Sequence, residues 1–174
     1  VASRIQFLHH RGTNHPPLRT PARRREKMTS TTANGLKCIA LYFDGACRPN
    51  PGRGGCGAVL KEADYMEGPG RVIDGREICK LSLPLGDTTS NAAEYCGLIG
   101  GLRKARCLKL NPRLIHIVIM GDSELVVNQL KGVNAVRNLD LQMYHATAVG
   151  LLCGFGAYTI KHVPREENAA ADAL

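Results

Sequence analysis

The order of apolar and polar positions predicts a domain that opens with antiparallel strands. An apolar run at 38–43 and the segment GCGAVLKE at 55–62 flank a turn rich in Gly and Pro, as is typical of two paired strands. The segment EICKLSLPL at 77–85 predicts a third strand, and Pro84 near its end indicates a sheet edge. The first half of the domain is therefore expected to be a three-stranded antiparallel unit.

The second half alternates between helical and strand patterns. Apolar residues recur at spacings of three and four between Asn91 and about Cys107, which predicts an amphipathic helix. The unalternating run IHIVIM at 115–120 is typical of a strand that is buried on both faces. Helices at 124–130 and 139–152, a strand at 157–163 and a last helix beginning near 167 complete the predicted order βββαβααβα.

This order favours an α/β fold built on a mixed five-stranded sheet. Three strands would be antiparallel, and two parallel ones would be added by right-handed crossovers, with helices flanking the sheet. A hydrophobic content of 44% in 174 residues supports one core, and we predict the domain at 37–174 with its last helix cut short. The longest weakly polar stretch, 148–160, is shorter than the roughly 20 residues of a membrane helix, so no membrane partner is expected.

Positive charge is concentrated at the N-terminus. Residues 1–36 carry seven Lys/Arg and one Glu, a net +6, whereas 16 basic and 14 acidic residues leave +2 in the remainder. With little apolar periodicity, this segment is predicted to be a disordered basic tail. It is a solvated tail, a nonspecific nucleic-acid-binding segment, or an organelle transit peptide, since it is rich in Arg and poor in acids.

The seven cysteines are an odd number and contain no C-x-x-C pair, which favours reduced thiols in an intracellular protein. Cytoplasm or nucleus is the expected location. A mitochondrion or another organelle becomes the alternative if the basic N-terminal segment is a transit peptide.

Four acidic residues lie where predicted strands end or in predicted helices. Asp44 ends the first strand, Glu94 lies one turn into the first helix, Asp122 follows the fourth strand, and Asp172 lies in the last helix. Clustered carboxylates repel one another unless protons or cations neutralise them, and oxygen-only ligands favour Mg²⁺ or Mn²⁺. Each acid also has a structural explanation: a turn residue at Asp44, a capping box with Asn91 at Glu94, an N-cap at Asp122 and a solvated position at Asp172.

The segments DGACRPNPGRGGCG, TTSNAAEY, GDSELVVNQL and HVPREENAAADAL, in this order, resemble the type 1 ribonuclease H family over residues 39–174. The resemblance implies a ribonuclease H-like fold and an endonuclease that hydrolyses the RNA strand of an RNA–DNA hybrid with two Mg²⁺ ions. It also implies that Asp44, Glu94, Asp122 and Asp172 hold the ions, and that Asp44 is shared by both. His162 would assist proton transfer or product release, as the family's mobile loop histidine does.

Substrate contacts are implied by the same resemblance, and we expect a monomer that binds RNA–DNA hybrid. The glycine-rich turn would allow close backbone approach at Gly45, and 2′-hydroxyls would be read in the minor groove. The implied minor-groove positions are Cys47, Asn50, Ser90 and Asn91, and Thr89 would hold a phosphate of the DNA strand. Two departures stand out: a long loop is predicted at 62–76, and the segment at 131–139 is too short for the basic protrusion of some relatives.

Other nuclease and phosphatase classes fit the sequence less well. Exonucleases of the DEDD type and haloacid dehalogenase phosphatases need a second acid two residues after Asp44, where this chain has Ala46. Transposases and integrases would place a Glu at position 157, which is Ala. A ribonuclease H domain of a retroelement polyprotein and a nucleic-acid-binding module that has lost turnover stay open as alternatives, although the presence of all four acids argues against the latter.

Overall fold

The computed structural model describes residue 32, residues 35–66 and residues 70–174. The elements follow the predicted order, with a short 3-10 helix (Pro112–Leu114) added before the fourth strand. They are β1 (Lys37–Cys47), β2 (Gly52–Met66), β3 (Arg71–Thr88), α1 (Ser90–Arg106), β4 (Ile115–Gly121), α2 (Glu124–Leu130), α3 (Leu139–Leu152), β5 (Ala157–His162) and α4 (Arg165–Asp172). The predicted basic tail lies almost wholly outside the described residues, so its disorder stays a prediction.

The five strands form one mixed sheet in the order β3-β2-β1-β4-β5. β1 pairs antiparallel with β2, and β2 pairs antiparallel with β3, whereas β4 lies parallel to both β1 and β5. The predicted fold class is therefore confirmed. Pro84, which cannot donate a backbone hydrogen bond, lies in β3 at the edge of the sheet as its position in the sequence indicated.

The predicted long loop at 62–76 is wrong, because most of it is strand. β2 continues to Met66 and β3 begins at Arg71. Cross-strand ion pairs stabilise this extension: Lys61 Nζ lies 2.7 Å from Asp74 Oδ2, and Glu62 accepts from Lys37 and Arg76. Polar side chains on this part of the hairpin hid the apolar alternation that identifies a strand.

The extended hairpin reaches across the sheet toward β4 and β5. The ring of Tyr65 in β2 meets the ring of His116 in β4 edge to face, with centroids 4.9 Å apart. Lys161 of β5 donates to the carbonyl oxygen of Gly70, just before β3. β5 is the edge strand farthest from β3, so the hairpin must curl over one face of the sheet to make this contact.

Hydrophobic clusters pack on both faces of the sheet because β1, its central strand, is buried on both sides. Ile39, Leu41 and Phe43 point to one cluster, which the helices α1 and α3 cover. The alternate side chains, among them Tyr42, point to the second cluster, to which Ala171 of α4 belongs. Each large apolar side chain buried in this way contributes about 1.5–3 kcal/mol. In the described part of the chain, no helix is long and apolar enough to cross a bilayer.

The last helix packs on the domain through two buried residues. α4 begins at Arg165, earlier than the predicted start near residue 167, and its Asn168 and Ala171 are buried. Beyond it, the Ser82 hydroxyl of β3 donates to the carbonyl oxygen of Leu174 at 2.5 Å. Packing of this kind, more than intrinsic propensity, stabilises a helix of eight residues.

Candidate active site

Three of the four predicted acids meet at one edge of the sheet. Asp44 lies near the end of β1 and Asp122 follows β4, and the carboxyl ends of parallel neighbouring strands lie at the same edge. Glu94 reaches this edge from the first turns of α1. One carboxylate oxygen from each of the three residues lies within 4.8 Å of the other two. The sequence thus predicted three carboxylates that the fold brings together.

Glycines allow the helix that carries Glu94 to rest directly on β1. A Cβ atom on Gly45 would lie 2.2 Å from the carbonyl carbon of Ala93, and one on Gly97 would lie 2.6 Å from the carbonyl oxygen of Asp44. Any side chain at these two positions would push α1 away from the strand. The close packing therefore determines how near Glu94 comes to Asp44.

Burial and the repulsion of neighbouring carboxylates raise the pKa values of Glu94 and Asp44. The pKa of Glu94 rises to about 9, chiefly through burial and then through the charges of Asp44 and Asp122. Burial also raises the pKa of Asp44, followed by the charge of Asp122, and a hydrogen bond from the Gly45 backbone opposes the rise. Without a cation, the site therefore favours a proton on Glu94.

The carboxylate of Glu94 supplies direct evidence that the cluster suits a cation. Its Oε2 atom is buried and has no hydrogen-bond partner among the described residues. A buried, unpartnered carboxylate oxygen is costly unless a proton or a metal ion neutralises it. Three converging carboxylates offer the hard oxygen ligands that Mg²⁺ and Mn²⁺ prefer, so the residues present fit such an ion.

The fourth predicted acid, Asp172, lies beside Asp44 but outside the group of three. After burial and the charge of Asp122, the charge of Asp172 and a hydrogen bond to it further raise the pKa of Asp44. Asp172 is exposed and forms an ion pair with Arg165, whose Nη2 lies 2.5 Å from Asp172 Oδ1. Asp44 thus interacts both with the other two acids of the group and with Asp172.

Asn168 is a site residue that the sequence analysis missed. It is fully buried in α4, and its Nδ2 donates to Asp122 Oδ1 at 2.7 Å and to the carbonyl oxygen of Phe43 at 2.8 Å. The amide therefore links the Asp122 carboxylate to the residue that precedes Asp44. Its signal was its position four residues before Asp172, which places both residues on one face of a helix.

His162 reaches the edge of the site from β5. It pairs with Gly121 in the parallel β4–β5 register, and its Nε2 lies 3.1 Å from the carbonyl oxygen of Asp122. Its side chain is exposed. The histidine is therefore next to the acids and open to solvent.

The predicted substrate-contacting residues form a second group beside the acids. Cys47 Sγ lies 3.4 Å from Asn50 Oδ1 and 3.5 Å from Ser90 Oγ, and the Ser90 backbone N–H donates to Asn50 Oδ1. These contacts tie the turn after β1 to the start of α1. Asn50, Thr89 and Asn91 also line a groove of about 800 Å³ that α3 closes on its other side. Gly45 is buried against α1, so its predicted contact could involve only its backbone.

The helix caps remove two structural explanations for the acids. Thr89 is the N-cap of α1, and its hydroxyl accepts from the backbone N–H of Ala92, so Glu94 is not part of a capping box with Asn91. Ser123, rather than Asp122, occupies the N-cap position of α2. Helix capping therefore does not account for either carboxylate.

A mixed sheet of this order that brings carboxylates together at the ends of β1 and β4 defines a ribonuclease H-like protein. Residues 42–174 match the sequence model of the family described as reverse transcriptase-like, and the chain belongs to that family. Its relatives confirm the resemblance to type 1 ribonuclease H. The ribonuclease HI of Halobacterium salinarum is 39% identical over 136 residues, which are 78% of this chain and 61% of that protein.

Another relative and two solved structures also carry the ribonuclease H resemblance. The bifunctional protein Rv2228c of Mycobacterium tuberculosis is 34% identical over 136 residues, 78% of this chain and 34% of that protein. The structure of its N-terminal RNase H domain, fused to maltose-binding protein, superimposes with a TM-score of 0.68 at 31% identity, covering 79% of this chain and 90% of that one. The structure of LC11-RNase H1 in complex with RNA/DNA hybrid superimposes with a TM-score of 0.66 at 31% identity, covering 78% of this chain and 92% of that one. The chain thus spans 61% and 34% of the two full-length relatives.

Proposed function

We propose that this chain is a ribonuclease H, an endonuclease that hydrolyses the RNA strand of RNA–DNA hybrids by two-metal-ion catalysis and acts as a monomer. The observation that carries the proposal is the convergence of Asp44, Glu94 and Asp122 within 4.8 Å, with a buried oxygen of Glu94 left unpartnered. No described hydrogen-bond donor reaches this Glu94 oxygen, so the site is suited to cations and to the phosphodiester that cations can hold.

The acids divide into two ligand sets that share Asp44. Glu94 and Asp122 would hold one ion with Asp44, and Asp172 would hold the other, also with Asp44. When bound, two Mg²⁺ ions supply charge for the phosphoryl oxygens, a nucleophile from water and stabilisation of the leaving 3′ oxygen. Mn²⁺ has the same ligand preference and would replace Mg²⁺.

Neighbouring residues would orient these acids and move protons. Asn168 donates to Asp122 Oδ1, so it would keep the other oxygen of that carboxylate directed into the cluster. His162 is exposed beside the carbonyl oxygen of Asp122 and would accept or deliver a proton during hydrolysis or product release.

Substrate choice would come from the group at the start of α1. Hydrogen bonds among Cys47, Asn50 and Ser90 hold these side chains in one arrangement next to the acids. Polar side chains preorganised in this way suit the 2′-hydroxyls of the RNA strand, which DNA lacks. Thr89 and Asn91 line the adjoining groove of the protein. There Thr89 would contact a phosphate of the DNA strand, and Asn91 would contact the minor groove of the hybrid. The hybrid bound to LC11-RNase H1 supports this class of substrate.

Cleavage of matched substrates tests the proposal. The purified chain is incubated with labelled RNA–DNA hybrid, duplex RNA and duplex DNA, each with Mg²⁺, Mn²⁺ or EDTA. We expect metal-dependent cutting of the RNA strand in the hybrid alone. Asp44→Asn is the control, because it keeps the side-chain shape while removing the shared charge, and it should bind hybrid without cutting it.

Two results would contradict the proposal. Equal cutting of duplex DNA would refute the selectivity attributed to Cys47, Asn50 and Ser90. Tight binding of hybrid by the unsubstituted chain without cutting under either metal would instead favour the nucleic-acid-binding module.

A further inference from the structure

A strongly basic surface lies at the end of the domain opposite the carboxylates. Residues 103–113, at the end of α1 and in the connection to β4, contain five Lys/Arg and no Asp/Glu. All five side chains are exposed. They are Arg103, Lys104, Arg106, Lys109 and Arg113, and we call them the basic end.

The described residues do not neutralise the basic end. None of its five cations forms an ion pair with a described acid, although five ion pairs occur elsewhere in the same residues. The dipole of α1 accounts for Arg103, Lys104 and Arg106, which lie in the last turn of that helix. It does not account for Lys109 and Arg113, which lie beyond the helix.

The end of α3, which is distant in sequence, contacts two of these five cations. Arg113 Nη1 donates to the carbonyl oxygen of Cys153 at 3.2 Å, at the end of α3. Arg106 Cζ lies 3.6 Å from the position that a Cβ atom on the next residue, Gly154, would occupy. Two guanidinium groups, one from α1 and one from the 3-10 helix, therefore meet at the end of α3.

The net positive charge of residues 1–36 joins the domain at this same end. β1 begins at Lys37, which pairs with Ile115 in the parallel β1–β4 register. Ile115 comes two residues after Arg113. The segment with net charge +6 is thus attached beside the five cations of the basic end.

The basic end is too far from the carboxylates to belong to their site. β1 runs from Lys37 at the basic end to Asp44 at the acids, and seven residue steps of about 3.3 Å correspond to roughly 23 Å. This exceeds the screening length of about 8 Å at physiological salt. Phosphates held at the acids therefore cannot be the ones that the basic end attracts.

We propose that the basic end is a second nucleic-acid-binding surface, which holds a duplex segment other than the one at the carboxylates. A duplex presents the dense, regular negative charge that a cluster of unpaired cations attracts, and such contacts need no particular base sequence. The chain has no Trp and only 5% aromatic residues, which disfavours stacking on a single strand. This binding proposal does not depend on the proposed ribonuclease activity.

The test neutralises three of the cations in the full chain by R103Q/K104Q/K109Q. Arg106 and Arg113 are retained because they contact the end of α3. Binding of a labelled DNA duplex is measured by fluorescence anisotropy over a series of KCl concentrations. We expect affinity at low salt to fall about tenfold or more, and the plot of log affinity against log salt to become shallower by about 2 to 3, because each lost phosphate contact removes about 0.9 from the slope.

A matched control separates this surface from total charge. R71Q/R76Q/K80Q removes three positive charges from exposed positions of β3, and it should weaken DNA binding much less. Equal weakening by the control would overturn the proposal, as would an unchanged salt slope in the first variant. The proposal would also be overturned if the chain bound phosphatidylserine vesicles through the basic end and did not bind DNA.

Cleavage of a short hybrid distinguishes the two proposals. The basic-end variant should cleave a hybrid just long enough to cover the carboxylates at the unsubstituted rate, and loss of that cleavage would overturn a separate surface. If the unsubstituted chain cuts no hybrid but its DNA binding shows the expected loss, the proposed ribonuclease function fails and the second surface stands.

Discussion

Replacing Asn168 with Ala should reveal how strongly α4 is tied to the carboxylates. The side chain is fully buried, and its Nδ2 donates to Asp122 Oδ1 and to the carbonyl oxygen of Phe43 at 2.7 and 2.8 Å. Loss of the bond to the carboxylate costs about 1.5–3 kcal/mol, and loss of the bond to the carbonyl costs about 1 kcal/mol.

One contribution acts in the opposite direction. Asn168 Oδ1 is itself buried without a partner among the described residues, and removing it recovers part of that desolvation cost. The expected net loss is therefore about 2–3 kcal/mol in the free energy of unfolding. For a domain of this size, this corresponds to a fall of about 10 °C in Tm.

Urea unfolding of the protein in EDTA, followed by circular dichroism, measures the change. Asn168→Asp is the informative companion, because it keeps the size of the side chain but replaces the donor with an acceptor that faces Asp122. It should be at least as destabilising as Ala at neutral pH. Asn111→Ala, which removes an exposed N-cap from the 3-10 helix, should cost about 1 kcal/mol or less.

A free energy of unfolding for Asn168→Ala within about 0.5 kcal/mol of the unsubstituted protein would show that these hydrogen bonds do not hold α4, since substitutions without a structural role fall in that range. If Asn168→Asp left the free energy of unfolding unchanged, the side chain would be shown to fill space rather than to donate hydrogen bonds.

Four further changes probe the site. Asp44→Asn should lower hybrid cleavage by orders of magnitude in a gel assay while leaving the metal-free Tm unchanged or higher, because carboxylate repulsion is relieved; a rate near that of the unsubstituted chain would refute its shared role. Arg165→Gln should reduce the Mg²⁺ concentration needed for binding, measured by calorimetry, by a few-fold, because the guanidinium competes for Asp172; identical titrations would contradict this. The pKa of Glu94 rises from 4.5 to about 9 on folding, so its contribution to metal-free stability is complete below about pH 4.5 and is lost as pH rises through 9; unfolding at several pH values should show this fall, and Glu94→Gln should lessen it. Gly45→Ala should destabilise the fold by about 3 kcal/mol or more, because its Cβ would lie 2.2 Å from a backbone carbon of α1; an unchanged Tm would show that α1 can shift freely.

Much of the fold could be predicted because its signals are local. β4 is apolar at nearly every position and α1 repeats apolar residues at helical spacing, so each element was identified from its own residues. The hairpin of β2 and β3 was predicted too short because its outer part has no such local signal. Its outer part is held by Lys61 with Asp74 and by Glu62 with two cations, which are contacts between strands and have no periodic pattern along the chain.

Only the charged residues of the carboxylate site were predicted from the sequence. Asp44, Glu94 and Asp122 were found because acids at element ends are conspicuous and because their segments resemble a known family. Asn168 was missed because an uncharged amide in a helix has no such signal. Its role depends on Asp122 and the Phe43 carbonyl, which are distant from it in the chain.

The sequence by itself determined the order of elements, the mixed sheet, the residue types of the site and the net charge of the N-terminal segment. Only the tertiary structure decided that three carboxylates meet within 4.8 Å, that Asp172 instead pairs with Arg165, and that the basic run at 103–113 is exposed at the opposite end. The physical reason is distance. Periodicity and capping act over a few residues, whereas carboxylate repulsion, burial and charge clustering depend on separations that the sheet register and the glycine contacts of α1 create.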